Sequence, residues 1–150
     1  MAPRPLASSP SSPYGVHRSL EPKGALPQPA LRVDNDFSRL FLGEMLLAVE
    51  TLNVDAASFR QMEEAAGGPE GVPAKVLETV AARGKQHNPV TGSGGMLLGR
   101  VVELAPGRPS EDIAPGDRIA SLVSLSLTPL SLRSIKAVRA ASAQLDVEGE

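Results

Sequence analysis

Carboxylate, amide and hydroxyl side chains follow one another between residues 53 and 63, where they could act on a small polar molecule. Asp55 is a candidate catalytic residue, because a carboxylate can accept a proton from an amine or from attacking water. Ser58 is a candidate substrate ligand, and either Asp55 or Ser58 is also suited to cap a short helix. Asn53 either orients a substrate or completes a turn.

A second group of polar residues runs from His87 to Ser93. His87 is a candidate catalytic residue because imidazole titrates near neutral pH, but a histidine after a helix can also be purely structural. Thr91 and Ser93 are candidate substrate ligands in a turn that either lines a cleft or only connects elements. Gly92-Ser93-Gly94 is not a dinucleotide fingerprint, because Leu97 replaces its third glycine and a strand is predicted to follow.

Charged residues supply the remaining candidates. Glu63 and Glu64 suit a substrate ammonium, with a solvated helix face as the alternative. Arg18, with His17 beside it, suits a substrate carboxylate, since a guanidinium can form two parallel hydrogen bonds to one.

Composition excludes several classes of function. The 150 residues contain no cysteine, so disulfides and thiolate metal sites are excluded. Fifteen basic and seventeen acidic side chains are interspersed, which argues against nucleic-acid or anionic-membrane partners. The apolar runs are too short to cross a bilayer, and the proline- and serine-rich start lacks the apolar segment of a signal peptide, so a cytoplasmic protein is expected.

The elements that must position these residues are mainly β-strands with a few short helices, which predicts a small barrel or sandwich. In the strand over residues 44–52, Met45, Leu47 and Val49 are expected on one face, with Leu46, Ala48 and Leu52 on the other. Further strands are predicted over residues 96–104, 118–127 and 143–149, helices over 55–67 and 73–83, and a short helical turn within 128–139.

Three regions are expected along the chain. Residues 1–13 are predicted to be a disordered tail, residues 14–43 an extended segment, and residues 44–150 one domain. Gly99 is expected where a neighbouring backbone passes close to its strand. The charges of Lys75, Glu78, Arg83 and Lys85 are expected on the solvated face of the second helix.

Four blocks of sequence carry a family resemblance. They read YGVHRSLEPKGALPQPA, LNVDAASFRQMEEAAGG, NPVTGSGGMLLG and GDRIASLVSLSLTPLSL. Their order resembles the GroES-like catalytic domain of the medium-chain dehydrogenase/reductase superfamily, and implies a partly open β-barrel. Together the blocks resemble the L-erythro-3,5-diaminohexanoate dehydrogenase family.

That resemblance implies an NAD-dependent oxidative deamination of 3,5-diaminohexanoate to 5-amino-3-oxohexanoate in lysine fermentation. It also implies that a Rossmann domain absent from this chain holds the NAD, that this chain alone is inactive, and that the enzyme forms a homodimer. No zinc is expected, because Asn53 stands where zinc alcohol dehydrogenases have a cysteine, and this chain reads Gly92-Ser93-Gly94-Gly95 where they have Gly-His-Glu. The alternatives are a zinc-independent quinone or enoyl reductase and a non-catalytic GroES-like binding module.

Overall fold

A computed structural model describes residues 2–107 and 112–150. Its regular elements, apart from three short 3₁₀ turns, are β1 (Ser19–Glu21), β2 (Arg32–Val33), β3 (Met45–Asn53), α1 (Ala56–Ala66), α2 (Val72–Arg83), β4 (Met96–Leu104), β5 (Arg118–Ser121), β6 (Leu132–Arg139) and β7 (Gln144–Gly149).

The main sheet has five strands in the order β5-β4-β3-β7-β6, and β1 pairs with β2 in a separate small sheet. All the pairings are antiparallel. The prediction of a mainly β chain with short helices is therefore confirmed. The described strands form no closed barrel, because β5 and β6 lie at opposite edges, and the GroES-like topology stays a prediction.

Both faces of central strand β3 are covered. Val49 and Leu52 belong to the large core that includes the helices, while Leu46 packs with Leu40 and Ala105 on the other side. The prediction that placed Leu52 with Leu46 is wrong. The register shifts between Val49 and Thr51, and the irregularity interrupts the simple two-residue alternation.

Helices α1 and α2 begin and end where the sequence predicts. The Asp55 carboxylate accepts a hydrogen bond from the Ser58 N–H at 3.0 Å, and Gly67 ends α1 in a left-handed conformation. In α2 the apolar stripe every fourth residue (Val72, Val76 and Val80) packs into the core. No helix in the described part of the chain is long and apolar enough to cross a membrane.

Gly99 lies in β4 against β3, as expected. A Cβ atom placed there would lie 2.7 Å from the Ala48 carbonyl oxygen, closer than the backbones allow. The absence of a side chain therefore permits the close pairing of these two strands.

The strand predicted over residues 118–127 is only partly correct. β5 ends at Ser121, and a turn follows in which the Ser124 hydroxyl accepts a hydrogen bond from the Ser126 N–H at 3.3 Å. The Leu127 N–H also donates to the Ser124 carbonyl at 2.9 Å. These local hydrogen bonds compete with strand pairing and defeat the alternating pattern.

The helical turn predicted within residues 128–139 is wrong. This region forms β6, which pairs with β7, while Ile135 and Val138 pack against the large core. Pairing with a strand that comes later in the chain decides the structure of β6, and a local pattern cannot show it. The predicted strand at residues 143–149 is confirmed as β7.

Lys85 corrects another prediction. It was expected on the solvated face after α2, yet its side chain is completely buried. The Nζ ammonium donates to the backbone carbonyls of Pro27 and Gln28, the latter at 3.0 Å. Lys85 therefore links the amino-terminal segment to the end of α2 through hydrogen bonds, and is not a solvated surface charge.

The first residues, for which the sequence predicts disorder, contact the sheet region. The Arg4 side chain pairs with Glu103 at 3.3 Å and with Glu150 at 2.9 Å. The Ala7 N–H donates to the Leu40 carbonyl at 2.8 Å.

Candidate functional site

Helix α1 separates two surface clefts. One face of α1, with Arg60 and Glu63, lines a cleft of about 380 Å³ that we call the Asp55 cleft. The opposite face, with Gln61, lines a cleft of about 240 Å³ that we call the His87 cleft. Residues three or four apart share a helix face, which explains this division.

Asp55 lies at the start of α1, where its Oδ1 atom caps the helix. Its Oδ2 atom is buried and has no hydrogen-bond partner in the part of the chain that the structure describes. Burial opposes ionisation of this carboxyl group. Hydrogen bonds from Ser58 and then from Ser93 and the Ala57 N–H outweigh that effect and lower the pKa of Asp55 below its ordinary value.

Asp55 is therefore a carboxylate at neutral pH. A lowered pKa makes it a weak proton acceptor but a lasting negative charge beside the cleft. Such a fixed charge can hold an ammonium group or stabilise a positive charge that develops during a reaction.

Three predicted hydroxyl residues form one hydrogen-bonded group near Asp55, and none of them lines the Asp55 cleft. The Ser58 and Thr91 hydroxyls lie 2.9 Å apart, and the Ser93 N–H donates to the Thr91 hydroxyl at 3.3 Å. The Ser93 carbonyl in turn accepts the Asn88 N–H at 3.0 Å. The structure thus brings Ser58, Thr91 and Ser93 together, with the Ser58 N–H bonded to Asp55, but it does not place them in the Asp55 cleft.

Asn53 ends β3 and also lines the Asp55 cleft. Its side-chain oxygen accepts a hydrogen bond from Gln144 at 3.1 Å. Gln144 begins β7, so the amide is oriented by the neighbouring strand. Glu63 lines the same cleft, whereas Glu64 is exposed and does not line it.

His87 lies in the other cleft. Its pKa is lowered by burial, with smaller contributions from the Lys85 and Arg83 charges, so its ring is neutral at pH 7. Its Nδ1 atom is buried without a hydrogen-bond partner among the described residues. The structure does not bring His87 and Asp55 together, because α1 stands between their clefts.

Arg18 lies in neither of these clefts, and its side chain is buried. Its Nε and Nη2 atoms donate to the two oxygens of Glu44 at 2.8 and 2.7 Å. Nη1 donates to Asp34 and to the Asp36 carbonyl, and the guanidinium lies over the Phe41 ring at 4.7 Å. The Arg18 guanidinium, which is predicted to bind a substrate carboxylate, therefore donates its hydrogen bonds to groups within the chain.

His17 joins the same cluster. Its Nε2 atom lies 3.0 Å from Glu44, and its Nδ1 atom accepts the Ser12 N–H at 3.0 Å. Both ring nitrogens are therefore occupied within the chain.

Arg60 was missed by the sequence reasoning. It lies on the same face of α1 as Glu63, three residues away, and both line the Asp55 cleft. The sequence feature that indicates Arg60 is helical spacing: in a helix that begins after Asp55, residues 59, 60 and 63 lie on one face.

The turn at Gly92-Ser93-Gly94 is not built like a dinucleotide-binding turn. Gly92-Ser93-Gly94 leads into strand β4, so the turn lacks the helix N-terminus that holds a pyrophosphate. Nor, within residues 2–107 and 112–150, do three His, Cys, Asp or Glu side chains lie close enough to share a metal ion.

By fold and site, the chain is a mainly β domain with an open antiparallel sheet and a charged cleft at the start of α1. Residues 17–150 match the family model described as the L-erythro-3,5-diaminohexanoate dehydrogenase N-terminal domain, and the chain belongs to that family.

Two curated relatives, from Acetoanaerobium sticklandii and Fusobacterium nucleatum, are both named L-erythro-3,5-diaminohexanoate dehydrogenase. Each is 48% identical to this chain over 139 residues, which is 91% of the chain and 40% of the relative. The chain thus spans about two fifths of the length of these relatives.

Proposed function

We propose that this chain is the substrate-binding part of an NAD-dependent dehydrogenase that converts 3,5-diaminohexanoate to 5-amino-3-oxohexanoate. The observation that carries the proposal is Asp55, an ionised carboxylate at the edge of a cleft that suits an ammonium group. The family membership and the printed names of the two relatives support the choice of substrate.

The overall reaction consumes the ammonium form of the substrate, NAD⁺ and water, and releases the ketone, ammonium, NADH and one proton. Oxidation of the C–N bond leaves a positively charged iminium carbon, to which water adds. Asp55 stabilises this positive charge electrostatically. Ser58 and Ser93 keep the carboxylate ionised through their hydrogen bonds.

Asp55 does not act as the principal base in this proposal. Its lowered pKa lies far below that of an alkylammonium group, so it cannot remove the ammonium proton efficiently. His87 is assigned no step, because its cleft lies on the far side of α1.

NAD is proposed to bind outside this chain, in a Rossmann domain that closes over the Asp55 cleft. Gly92-Ser93-Gly94 leads into strand β4 and not into a helix, so this turn does not form a site for the cofactor phosphates. The chain supplies the substrate contacts, and the proposed second domain supplies the oxidant. This chain alone is therefore expected to produce no NADH.

The test measures NADH formation from 3,5-diaminohexanoate by the protein encoded by the whole reading frame. Asp55→Asn should lower kcat/KM by about 100-fold or more, since it removes the charge but keeps a good helix cap. The matched control Glu64→Gln changes an exposed carboxylate on the same helix and should have wild-type kinetics. No turnover of the diamino acid, with reduction of a quinone by NADPH instead, would overturn the proposal.

A further inference from the structure

The Asp55 cleft contains charges of both signs. Asp55 and Glu63 contribute carboxylates, and Arg60 contributes the one guanidinium among its described lining residues. Phe59, which is buried, also lines the cleft. A cleft with this pattern suits a ligand that itself carries both ammonium and carboxylate groups.

Arg60 is exposed, and its guanidinium has no hydrogen bond or ion pair within the described residues. Several other arginines of the domain are paired within the chain. Arg139 holds Asp146 through two hydrogen bonds of 2.9 and 2.7 Å, and Arg118 pairs with Glu50 at 2.7 Å. Arg60 therefore offers its donors to whatever enters the cleft.

We propose that Arg60 binds the substrate carboxylate and that Glu63 binds the ammonium group that is not oxidised. This inference rests on the proposed function, which places the reacting amine beside Asp55. The two carboxylates and one guanidinium of the cleft then match the two ammonium groups and one carboxylate of a diamino acid. A planar guanidinium is suited to this role because it binds both carboxylate oxygens at once.

Arg60 and Glu63 both lie on α1 beyond Asp55, toward the carboxyl end of the helix. Arg60 lies roughly 7 Å along the helix axis from Asp55, and Glu63 about 4.5 Å further on, at 1.5 Å per residue. In 3,5-diaminohexanoate the reacting amine at C3 lies between the carboxylate at C1 and the other amine at C5. Helical side chains lean toward the helix N-terminus, so Arg60 and Glu63 can reach back to the two ends of a folded substrate whose C3 amine lies beside Asp55. The same arrangement favours a diamino acid over an amino acid with one ammonium group, because Glu63 would otherwise be left without a partner.

The experiment compares two substrates in the whole-length enzyme: 3,5-diaminohexanoate and its carboxamide, which lacks the carboxylate charge. Arg60→Gln should raise KM for the acid by 10- to 100-fold and change kcat much less. KM for the carboxamide should stay within about twofold of the wild-type value. Arg60→Lys should recover part of the loss for the acid, because it restores the charge without the bidentate geometry.

Arg133→Gln is the matched control, since it removes an exposed arginine from β6, outside the cleft, and should leave both KM values unchanged. Equal melting temperatures for the variants would show that Arg60→Gln is folded. Wild-type turnover with an unchanged KM for the acid in Arg60→Gln would overturn this inference alone. An equal loss on acid and carboxamide would also overturn it, whereas absence of wild-type turnover would reject the proposed function.

Discussion

Arginine lies beside carboxylates in two regions of this domain, with opposite consequences. In the amino-terminal cluster, Arg18 is buried, and Glu44 accepts two of its hydrogen bonds. In the Asp55 cleft, Arg60 and Glu63 are near neighbours on α1, yet no ion pair joins them in the described structure. Charges satisfied by the chain itself hold the fold together, whereas charges left without partners in a cleft can bind a ligand.

The largest effect should come from breaking the satisfied cluster. Arg18→Gln would leave the half-buried Glu44 carboxylate without its main cation, and we expect a loss of about 3–5 kcal/mol in the free energy of unfolding. Urea denaturation measures this change in the free energy of unfolding. The control Arg32→Gln removes an exposed pair with Glu21 at 3.8 Å and should cost less than about 1 kcal/mol. Similar losses for the two variants would contradict the assignment of Arg18 as a structural residue.

Lys85 differs from Arg18, because its buried ammonium donates to backbone carbonyls and not to carboxylates. Burial, with a smaller contribution from Arg83, lowers its pKa from 10.5 to about 8. The unfolded chain therefore binds more protons than the folded chain between these values, and stability should rise as pH increases from about 8 to about 10.5.

Thermal or urea unfolding across that pH range tests the Lys85 prediction. Lys85→Met keeps the length of the side chain and removes the titration, so the rise should disappear. Lys136 is exposed, so the control variant Lys136→Met should still show the rise in stability with pH. A flat wild-type profile would show that folding does not lower the pKa of Lys85.

The amino-acid pattern predicts local features of this domain well and distant ones poorly. The cap at Asp55 and the end of α1 at Gly67 each depend on a few neighbouring residues, and both are where the sequence places them. The predictions for β6 and for Lys85 were wrong because each depends on a partner outside its own segment. The partner of β6 is strand β7, and the partners of Lys85 are the carbonyls of Pro27 and Gln28.

The candidate site divides in the same way. Asn53, Asp55 and Glu63 follow from one strand end and one helix face, and the structure brings them to one cleft. Arg18 precedes them by more than thirty residues, and its chemistry alone cannot show that Glu44 already occupies its guanidinium. Residue type predicts what a side chain can bind, but only packing decides whether that capacity is still free.

Asp55 has two roles, as the cap of α1 and as a negative charge beside the cleft. Substitutions at Asp55 should separate these roles, and their effect on stability should be the smallest of those predicted here. Asp55→Ala removes the cap of α1 and should lower the free energy of unfolding by about 1 kcal/mol, whereas Asp55→Asn should change it by only a few tenths. Both variants lose the negative charge, so both should lose activity alike. Stability in urea and kcat/KM, measured on the same preparations, separate the two roles. Full activity in Asp55→Asn would mean that this carboxylate serves the helix alone, and that the charge of the cleft rests on Arg60 and Glu63.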